Sequence, residues 1–348
     1  MSAVAGADAA SWASPVFADV LAPLLAATRV TIESCERLAG GAIQQNFVLV
    51  LDVHDGPWAA LTRIVLRTGA PTNVAASRPR DEEHTLLVAA AAAGVAVPRP
   101  IALYRGDAHW PAFMLMTHVV GDTAGRVLTR ASAAPRVRLV EAIGANLARV
   151  HAIAATHPSL AFLGEPPLRP TIDLINGYRT TIEHWRTVTG DARPVLAWTL
   201  RWLELQLPPL EPVVLVHRDY RVGNLIVDAD RLAATLDWEF AGWGNPLEDL
   251  GWFCAPCWRF ARPDLAAGGL ADIDDLLRGY NAAAGSAHVA ADLRYWQVLA
   301  QLRWAVIALQ QALRFIEGGE RSLELALTGR MLPELEWQML ELTGDTLA

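Results

Sequence analysis

The chain has 348 residues, of which 53% are hydrophobic, and its formal net charge is −8. One hydrophobic core seldom serves a chain of this length, so we expect two lobes or domains. The acidic balance gives no electrostatic case for nucleic acid or an anionic membrane surface as a partner. All 29 basic residues are arginine. Any role that usually requires lysine therefore falls to a side chain that stays protonated.

The three cysteines, Cys35, Cys254 and Cys257, are too few and odd in number for a disulfide framework. Cys254 and Cys257 form a lone C-x-x-C motif without the second pair that a zinc site requires, so we interpret them as buried thiols. No uninterrupted apolar run approaches the roughly 20 residues of a membrane span, and no basic leader is present. We expect a soluble, cytoplasmic protein, either a monomer or a homodimer.

The first 118 residues alternate between apolar strands and turns, after a short helix expected at 16–28. "RVTIESCERLAGGAIQQNFVLVLDV" predicts a strand, a Gly-Gly turn and a second strand, and "WAALTRIVLRTG" predicts a third. A helix is expected at 81–93, because Gly94 and Pro98 follow as a stop signal. "RPIALYRG" and "PAFMLMTHVVG" predict two more strands. This part of the chain therefore predicts a small antiparallel sheet with one helix.

The remaining chain is predicted to be mostly helical, with a polar β segment embedded in it. Apolar residues recur at steps of three and four in "APRVRLVEAIGANLARVHAI", the pattern of an amphipathic helix. Further helices are expected near 171–187 and 194–206. The strands "VVLV", "NLIVD" and "AATLDW" then surround a charged loop, and helices resume after Asp249.

The charged loop contains Asp219 and, five positions later, Asn224, while Asp237 follows the next apolar strand. If the strands pair, the three side chains emerge at one end of the hairpin. A carboxylate there can orient a hydroxyl group or accept its proton. Asparagine and aspartate oxygens suit Mg²⁺, which commonly shares its coordination with phosphates. The combination indicates phosphoryl transfer, in which the protein positions the reactants and neutralises charge.

"HRDYRVGN", followed by "LDWEFAGWGNPLEDLGW", resembles the aminoglycoside phosphotransferase and choline kinase-like family of small-molecule kinases. Within that family it is most similar to the kinase-like domains associated with acyl-CoA dehydrogenases. The resemblance implies an α+β, two-lobed protein-kinase-like fold. A small antiparallel β-rich N-lobe that binds nucleotide would occupy residues 1–118. A larger, mainly helical C-lobe with the catalytic loop and acceptor site would occupy residues 119–348.

The resemblance also implies a role for each residue of the motif. Asp219 would be the catalytic aspartate, and Arg221 would contact the transferred phosphate. Asn224 and Asp237 would be metal ligands. Glu239 would act beside them, either as a further ligand or through another ligand. The implied co-substrates are ATP, or GTP, with Mg²⁺.

The N-terminal residues match the family as well. Gly40 and Gly41 would form the turn that covers the phosphates, with an ordinary hairpin turn as the alternative. The hinge that contacts adenine would lie at residues 116–119, which include Met116 and His118.

Arg67 would take the place of the strand-three lysine that kinases use to hold the nucleotide. Its ion-pair partner would be Glu83, with Glu82 as the rival. A solvated arginine at a strand end is the alternative interpretation of Arg67.

Three charged residues near the motif have structural interpretations. His217 and Arg218 are expected to brace the loop by hydrogen bonds, and Asp249 to anchor it. For Asp219 and Asn224, the alternative is a turn in which both side chains cap backbone groups. The matched spacing to Asp237 argues against that alternative.

The predicted acceptor side combines large aromatic residues with arginine and aspartate, which indicates an apolar neighbourhood that does not favour a polycation. Together with the resemblance, this composition predicts an enzyme, a Mg²⁺-dependent small-molecule kinase acting on a hydroxyl of a fairly apolar or hydroxyacyl-type acceptor. Two alternatives stay open: an aminoglycoside or macrolide antibiotic kinase, and a non-catalytic pseudokinase-like module that binds nucleotide or acyl-CoA. The large aromatic residues predicted on the acceptor side are six tryptophans: Trp238, Trp243, Trp252, Trp258, Trp296 and Trp304.

Overall fold

The structure is a computed structural model that describes residues 8–38, 44–69, 77–123, 125–130, 134–209, 213–260, 262–320 and 322–344. The first part of the described chain is built from strands, with helices before and between them. These elements are α1 (Ala9–Trp12), α2 (Pro15–Leu24), β1 (Val30–Arg37), β2 (Gln44–Val53), β3 (Arg63–Gly69), α3 (Arg80–Ala92), β4 (Pro100–Tyr104) and β5 (Phe113–Thr117).

In the described residues these strands form one antiparallel sheet in the order β1-β2-β3-β5-β4. Side chains alternate between its two faces because successive residues of a strand point in opposite directions. On β3, Ile64 and Leu66 join the core formed with α1 and α2. Val65 and Arg67 lie on the opposite face, towards the rest of the molecule. The strand period thus directs Arg67 inwards.

The second part of the described chain is mainly helical. Its longest helix, α10, packs against α6, α7, α8, α11 and α12. The elements are α4 (Gly125–Leu128), α5 (Val137–His151), α6 (Pro170–Thr189), α7 (Pro194–Leu205), β6 (Val214–Val216), β7 (Leu225–Asp228), β8 (Arg231–Thr235), β9 (Gly242–Gly244), α8 (Pro246–Phe253), α9 (Ile273–Ala284), α10 (Arg294–Ile316), α11 (Leu323–Thr328) and α12 (Leu332–Gly344). Within the described ranges, no helix is long and apolar enough to cross a bilayer.

These elements confirm the α+β, two-lobed kinase-like fold that the sequence predicted, with shifted boundaries. The leading helix begins at Pro15, because Ser14 caps it by accepting a hydrogen bond from the Phe17 amide at 3.2 Å. The predicted Gly40-Gly41 turn lies outside the described residues.

The strands around the charged loop do not all belong to one hairpin. β7 pairs with β8, with Leu225 opposite Thr235, as expected for the segments "NLIVD" and "AATLDW". β6 instead pairs with β9, with Val216 opposite Gly242. The sequence did not predict β9, because Gly-Trp-Gly lacks the β-branched pattern of a strand. The two ends of the loop are consequently held by two separate ladders.

The three cysteines are free thiols. Cys254 is buried, and burial raises its pKa to about 12, so it stays protonated at neutral pH. Cys257 is half-buried. The burial of Cys254 agrees with its interpretation as a buried thiol.

Candidate active site

A cavity of about 1040 Å³ lies between the inner face of the sheet and the helical part of the chain. Strands β2, β3 and β5 line one side of it, and the charged loop, α8, α10 and α11 line the other. The cavity collects every predicted site residue that falls within the described ranges: Arg67, Glu83, Met116, His118, Asp219, Arg221, Asn224, Asp237 and Glu239.

Asp219 is held in the cavity wall by three side chains. Asn224 donates through its amide nitrogen to Oδ2 at 2.5 Å and to the backbone oxygen of Asp219 at 3.0 Å. Arg221 donates through Nε to Oδ1 at 3.2 Å. Trp252, on α8, donates through its indole nitrogen to the same Oδ1 at 3.1 Å. The carboxylate therefore has a fixed orientation, and its contact with Trp252 was not predicted.

Asp249 anchors the loop, as the sequence predicted. It is fully buried, and its oxygens accept hydrogen bonds from the backbone amides of His217, at 2.6 Å, and Arg218, at 2.7 Å. Burial alone would raise the pKa of Asp249, but the hydrogen bond from His151 and the one from the His217 backbone amide hold that pKa below its usual range. The ionised carboxylate is thus the form that the loop requires.

His217 braces the loop from the other side. The backbone amide of Asp219 donates to Nδ1 at 3.2 Å, so Nδ1 carries no proton, and Nε2 donates to the carbonyl oxygen of Leu236 at 2.9 Å. Burial lowers the pKa of His217, which favours this neutral tautomer. These two hydrogen bonds are the bracing contacts predicted for His217.

Two non-glycine residues of the site adopt left-handed backbone conformations. Arg218, just before Asp219, has φ 66°, and Asp237 has φ 61°. Such conformations cost about 1–3 kcal/mol each and persist only where surrounding contacts impose them. For Arg218 these contacts include a hydrogen bond to the Trp243 carbonyl oxygen at 2.8 Å and a Glu248 carboxylate at 3.6 Å.

Arg67 is the centre of a buried ionic cluster. Its guanidinium lies 3.0 Å from Glu83, 2.8 Å from Asp237 and 3.7 Å from Glu239. Burial would lower the pKa of Arg67, but the three carboxylates raise it above its usual value. With only 5% of its surface exposed, Arg67 is not the solvated strand-end residue of the alternative interpretation.

Glu83, rather than Glu82, is the partner of Arg67. Glu83 is buried and also pairs with Arg80, whereas Glu82 bonds Arg78 at 2.9 Å near the surface. Burial raises the pKa of Glu83, and the two arginines oppose that rise. The helical period of α3 explains the choice, because Glu83 shares the buried face with Leu86, Leu87 and Ala90.

Glu239 lies at the edge of this cluster. It accepts a hydrogen bond from Gln44 at 2.8 Å and another from Ser77, and Arg80 lies 3.8 Å away. The sequence predicted Glu239 near the site but not these partners. Gln44 and Ser77 carry no motif, so no sequence signal could have selected them.

The oxygen atoms near Asp237 fit a hard cation. Asn224 donates a hydrogen bond to Asp219 through its amide nitrogen. Its side-chain carbonyl oxygen can therefore face a cation as a ligand. Asp237 has a carboxylate whose side chain is 34% exposed in the cavity, with one oxygen on Arg67. In the described part of the chain, no three His, Cys, Asp or Glu side chains form a ready-made metal cluster. A cation here would complete its coordination with a substrate or water.

The predicted hinge lies at the end of β5. Met116 is buried and pairs with Val65 of β3, and His118 follows it, partly exposed. Burial, with a smaller effect of Arg63, lowers the pKa of His118, so this side chain is neutral near pH 7. Both residues face the cavity on the sheet side, as a nucleotide hinge would require.

At the other end of the cavity, arginines lie over indole rings. The Arg221 guanidinium lies 4.9 Å from the ring centre of Trp258, and that of Arg303 lies 4.7 Å from Trp252. Trp304 completes the row, 5.1 Å from Trp258. Of the six tryptophans singled out from the sequence, Trp238, Trp252, Trp258 and Trp304 line the cavity, while Trp243 and Trp296 pack elsewhere.

A protein-family comparison identifies the chain. The model described as the phosphotransferase enzyme family, APH, matches residues 34–312. The chain belongs to this family.

Two curated relatives of this phosphotransferase are members of the acyl-CoA dehydrogenase family. The chain is 27% identical over 179 residues to acyl-CoA dehydrogenase family member 10 of Mus musculus, covering 50% of the chain and 16% of the relative. It is 31% identical over 183 residues to family member 11 of Gallus gallus, covering 49% of the chain and 22% of the relative. The chain thus matches less than a quarter of either relative's length.

Solved structures show the same fold at low sequence identity. An inferred aminoglycoside phosphotransferase of Ralstonia eutropha superimposes with a TM-score of 0.73 at 20% identity, covering 94% of this chain and 97% of that one. Spectinomycin phosphotransferase, in complex with ADP and spectinomycin, gives 0.61 at 12% identity, with 94% and 99% covered. Macrolide 2′-phosphotransferase of Brachybacterium faecium gives 0.59 at 18%, with 89% and 97% covered.

Two buried polar residues of α5, neither of them predicted as a site residue, support the charged loop. Asn146 accepts a hydrogen bond from the Ala96 amide and donates to Tyr220 and Thr235, on either side of the loop. His151 lies 3.3 Å from Asp249. Asn146 lies beside the apolar stripe of α5. A polar residue at such a position must have a buried hydrogen-bond partner, and this requirement could have identified Asn146 from the sequence.

Proposed function

We propose that this chain transfers the γ-phosphoryl group of ATP, or GTP, to a hydroxyl group of a small, fairly apolar or hydroxyacyl-type acceptor, with Mg²⁺. The observation that carries the proposal is the arrangement of two carboxylates in one cavity. Asp219 is bonded to Asn224, and Asp237 is bonded to Arg67 of the sheet. A proton acceptor and a cation-binding carboxylate are therefore both available to a substrate that spans the two parts of the chain.

Asp219 is assigned to the acceptor hydroxyl. Its carboxylate orients that hydroxyl towards the γ-phosphorus and takes its proton as the new oxygen–phosphorus bond forms, while the bond from the γ-phosphorus to the nucleotide's bridging oxygen breaks and the nucleoside diphosphate leaves. Its bonds to Asn224 and Trp252 keep the carboxylate in one orientation, which favours an aligned attack. Arg221 is assigned to the charge that develops on the transferred group, which it can neutralise without leaving the Asp219 neighbourhood.

Asn224 and Asp237 are assigned to Mg²⁺, and Glu239 to a further ligand position beside them, as the sequence predicted. When bound, the ion would supply positive charge that offsets the negative charge of the phosphates. The chain's own contribution is to hold these oxygen donors still. The Arg67 guanidinium holds the Asp237 carboxylate by an ion pair at 2.8 Å. The Asp219 carboxylate holds the Asn224 side chain by accepting a hydrogen bond from its amide nitrogen.

The nucleotide is assigned to residues 1–118 and the acceptor to residues 119–348. Arg67, supported by Glu83, would contact the phosphates, Gly40 and Gly41 would cover them, and the hinge with Met116 and His118 would receive the base. The ADP bound to spectinomycin phosphotransferase supports a nucleotide co-substrate.

The aromatic end of the cavity favours an acceptor with apolar surface and an anionic or carbonyl-bearing group. Arg303 lies there over Trp252 and shares the single carboxylate of Glu248 with Arg218, so one positive charge is left without a counter-charge among these three groups. The carboxylate of Glu320 is already neutralised by Arg314, at 2.7 and 3.0 Å, so it does not provide a free anionic site for a polycation. The relatives in the acyl-CoA dehydrogenase family support an acyl-type acceptor.

An antibiotic kinase is the second candidate, because solved neighbours include spectinomycin and macrolide phosphotransferases. One experiment separates the acyl-type kinase from the antibiotic kinase. Mg²⁺-dependent nucleotide consumption is measured with hydroxyacyl-CoAs, free hydroxy acids, apolar alcohols, choline-like amino alcohols, aminoglycosides and macrolides. We expect stimulation by the acyl-type or apolar acceptors.

The matched variants are Asp219→Asn and Asp228→Asn. Asp228 is an exposed carboxylate on β7 that pairs with Arg231 at 2.6 Å, outside the cavity. Acceptor stimulation should disappear in the first variant and persist in the second. Stimulation by antibiotics alone would establish the second candidate, and nucleotide binding without turnover for any acceptor would favour the non-catalytic binding module.

A further inference from the structure

Trp252 makes a hydrogen bond that no part of the kinase-like motif requires. Its indole nitrogen donates to Oδ1 of Asp219 at 3.1 Å, across 33 residues of sequence. The side chain is 2% exposed, so water does not replace this donor. A donor to a buried or half-buried carboxylate fixes the direction of its oxygens.

The indole of Trp252 is itself held on several sides. Arg303 lies over its face at 4.7 Å, and Trp258 meets it edge-on at 5.1 Å. On the preceding residue, Gly251, a Cβ atom would lie 2.3 Å from Cβ of Trp296. Helices α8 and α10 therefore approach closely here, and the position of Trp252 is set by that packing.

The other two donors to Asp219 have further tasks under the proposed function. Arg221 is assigned to the transferred group and Asn224 to the cation, so each divides its interactions between Asp219 and a substrate. Trp252 carries neither task and no charge. Its hydrogen bond can remain unchanged while the other two donors respond to bound substrates.

We infer that Trp252 is a positioning residue that keeps the Asp219 carboxylate directed at the acceptor hydroxyl during phosphoryl transfer. This role rests on the proposed function. The Trp252 indole affects the chemical step rather than the binding of either substrate. Its loss should therefore lower kcat and leave KM for both substrates unchanged.

The test compares Trp252→Phe with Trp296→Phe in the full chain, using the best acceptor of the panel. Trp296 is the matched control because it is also 2% exposed and packs at the same helix contact through Gly251. We expect kcat of Trp252→Phe to fall about 10- to 100-fold, the effect of losing one hydrogen bond to a charged group. KM for both substrates and the nucleotide Kd should stay within about twofold of wild type. Trp296→Phe should keep its kcat.

Trp252→His separates hydrogen bonding from packing. Imidazole retains a ring N–H but fills less space than phenylalanine. If the donor matters, kcat of Trp252→His exceeds that of Trp252→Phe. If only packing matters, the order is reversed, and the inference is overturned.

Thermal unfolding of each variant shows whether it folds. Unchanged kcat in a folded Trp252→Phe, with activity still lost in Asp219→Asn, would overturn this inference alone. A wild-type chain without turnover on any acceptor would overturn the proposed function, and the role of Trp252 with it.

Discussion

The two ends of the cavity hold their charged side chains in different ways. At the sheet end, the charges are buried and neutralise one another. Arg67 contacts three carboxylates, and Glu83 contacts two arginines. At the helical end, the guanidinium groups of Arg221 and Arg303 lie over tryptophan rings, and each has one carboxylate nearby, Asp219 at 3.2 Å and Glu248 at 3.6 Å.

This difference predicts where a substitution should lower stability and where it should lower catalytic activity. A buried charge is tolerated only while its partner is present, so removal of one partner leaves an uncompensated charge in a poorly solvated place. The Arg221 guanidinium over its indole ring is oriented by weaker forces, and its side chain is 28% exposed. We therefore expect losses of stability at the first end and losses of catalysis at the second.

Glu83→Gln should have the largest effect on folding. The change leaves Arg67 and Arg80 without the carboxylate that both contact, and breaking a buried ion pair typically costs about 3–5 kcal/mol. Urea unfolding at pH 7 would measure the free energy of unfolding.

Glu82→Gln is the control for that experiment, since Glu82 is adjacent in sequence and pairs with Arg78 in a partly exposed i,i+4 arrangement. Its cost should stay below about 1 kcal/mol. Equal costs for the two variants would contradict the distinction between buried and partly exposed ion pairs.

Arg221→Gln should reduce catalysis with little effect on stability. The charge that the proposed function assigns to the transferred group is lost, and removal of one such stabilising donor lowers kcat by about 10²- to 10³-fold. Steady-state kinetics would measure kcat and KM separately.

Arg221→Lys should recover part of the lost rate, because the charge returns without the planar group that lies over Trp258. A large loss of stability in Arg221→Gln, with kcat unchanged, would place Arg221 in the same class as Glu83.

The stability of the chain should fall as the pH is lowered below about 6.5, partly through His217. Burial lowers its pKa in the folded state, so the unfolded chain binds the proton first. Its contribution is therefore present above the usual histidine pKa and is lost as the pH falls towards the folded value.

Each such proton changes the free energy of unfolding by at most about 1.4 kcal/mol per pH unit. We expect His217→Asn to show a shallower slope between pH 6.5 and 5, measured by urea unfolding at several pH values. His84 and His118, whose pKa values are also lowered by burial, contribute to the slope of both proteins. An identical slope in the variant would show that His217 does not titrate in this way.

Glu320→Gln should have the smallest effect. Glu320 and Arg314 form a bidentate pair at the helical end of the cavity, but both side chains are partly exposed. Such pairs contribute about 0–1 kcal/mol, so urea unfolding should detect little change. A cost comparable to that of Glu83→Gln would show that buried and exposed pairs are not distinguished here.

The sequence was informative where one residue's environment follows from its neighbours in the chain. The period of β3 directs Arg67 inwards, and the period of α3 selects Glu83 over Glu82. The spacing of Asp219, Asn224 and Asp237 indicated a shared site, and all three line the same cavity. The stop signals of Gly94 and Pro98 placed the end of α3 within one residue.

Contacts between distant segments were decided only by the tertiary structure. The pairing of β6 with β9, the Arg67–Asp237 ion pair and the Trp252–Asp219 hydrogen bond join residues that no local pattern connects. Alternation and helical period determine which face a side chain takes, and motif spacing indicates its chemistry. Which partner it meets across the cavity depends on how the sheet and the helices pack, because that packing sets the distances over which hydrogen bonds and ion pairs form.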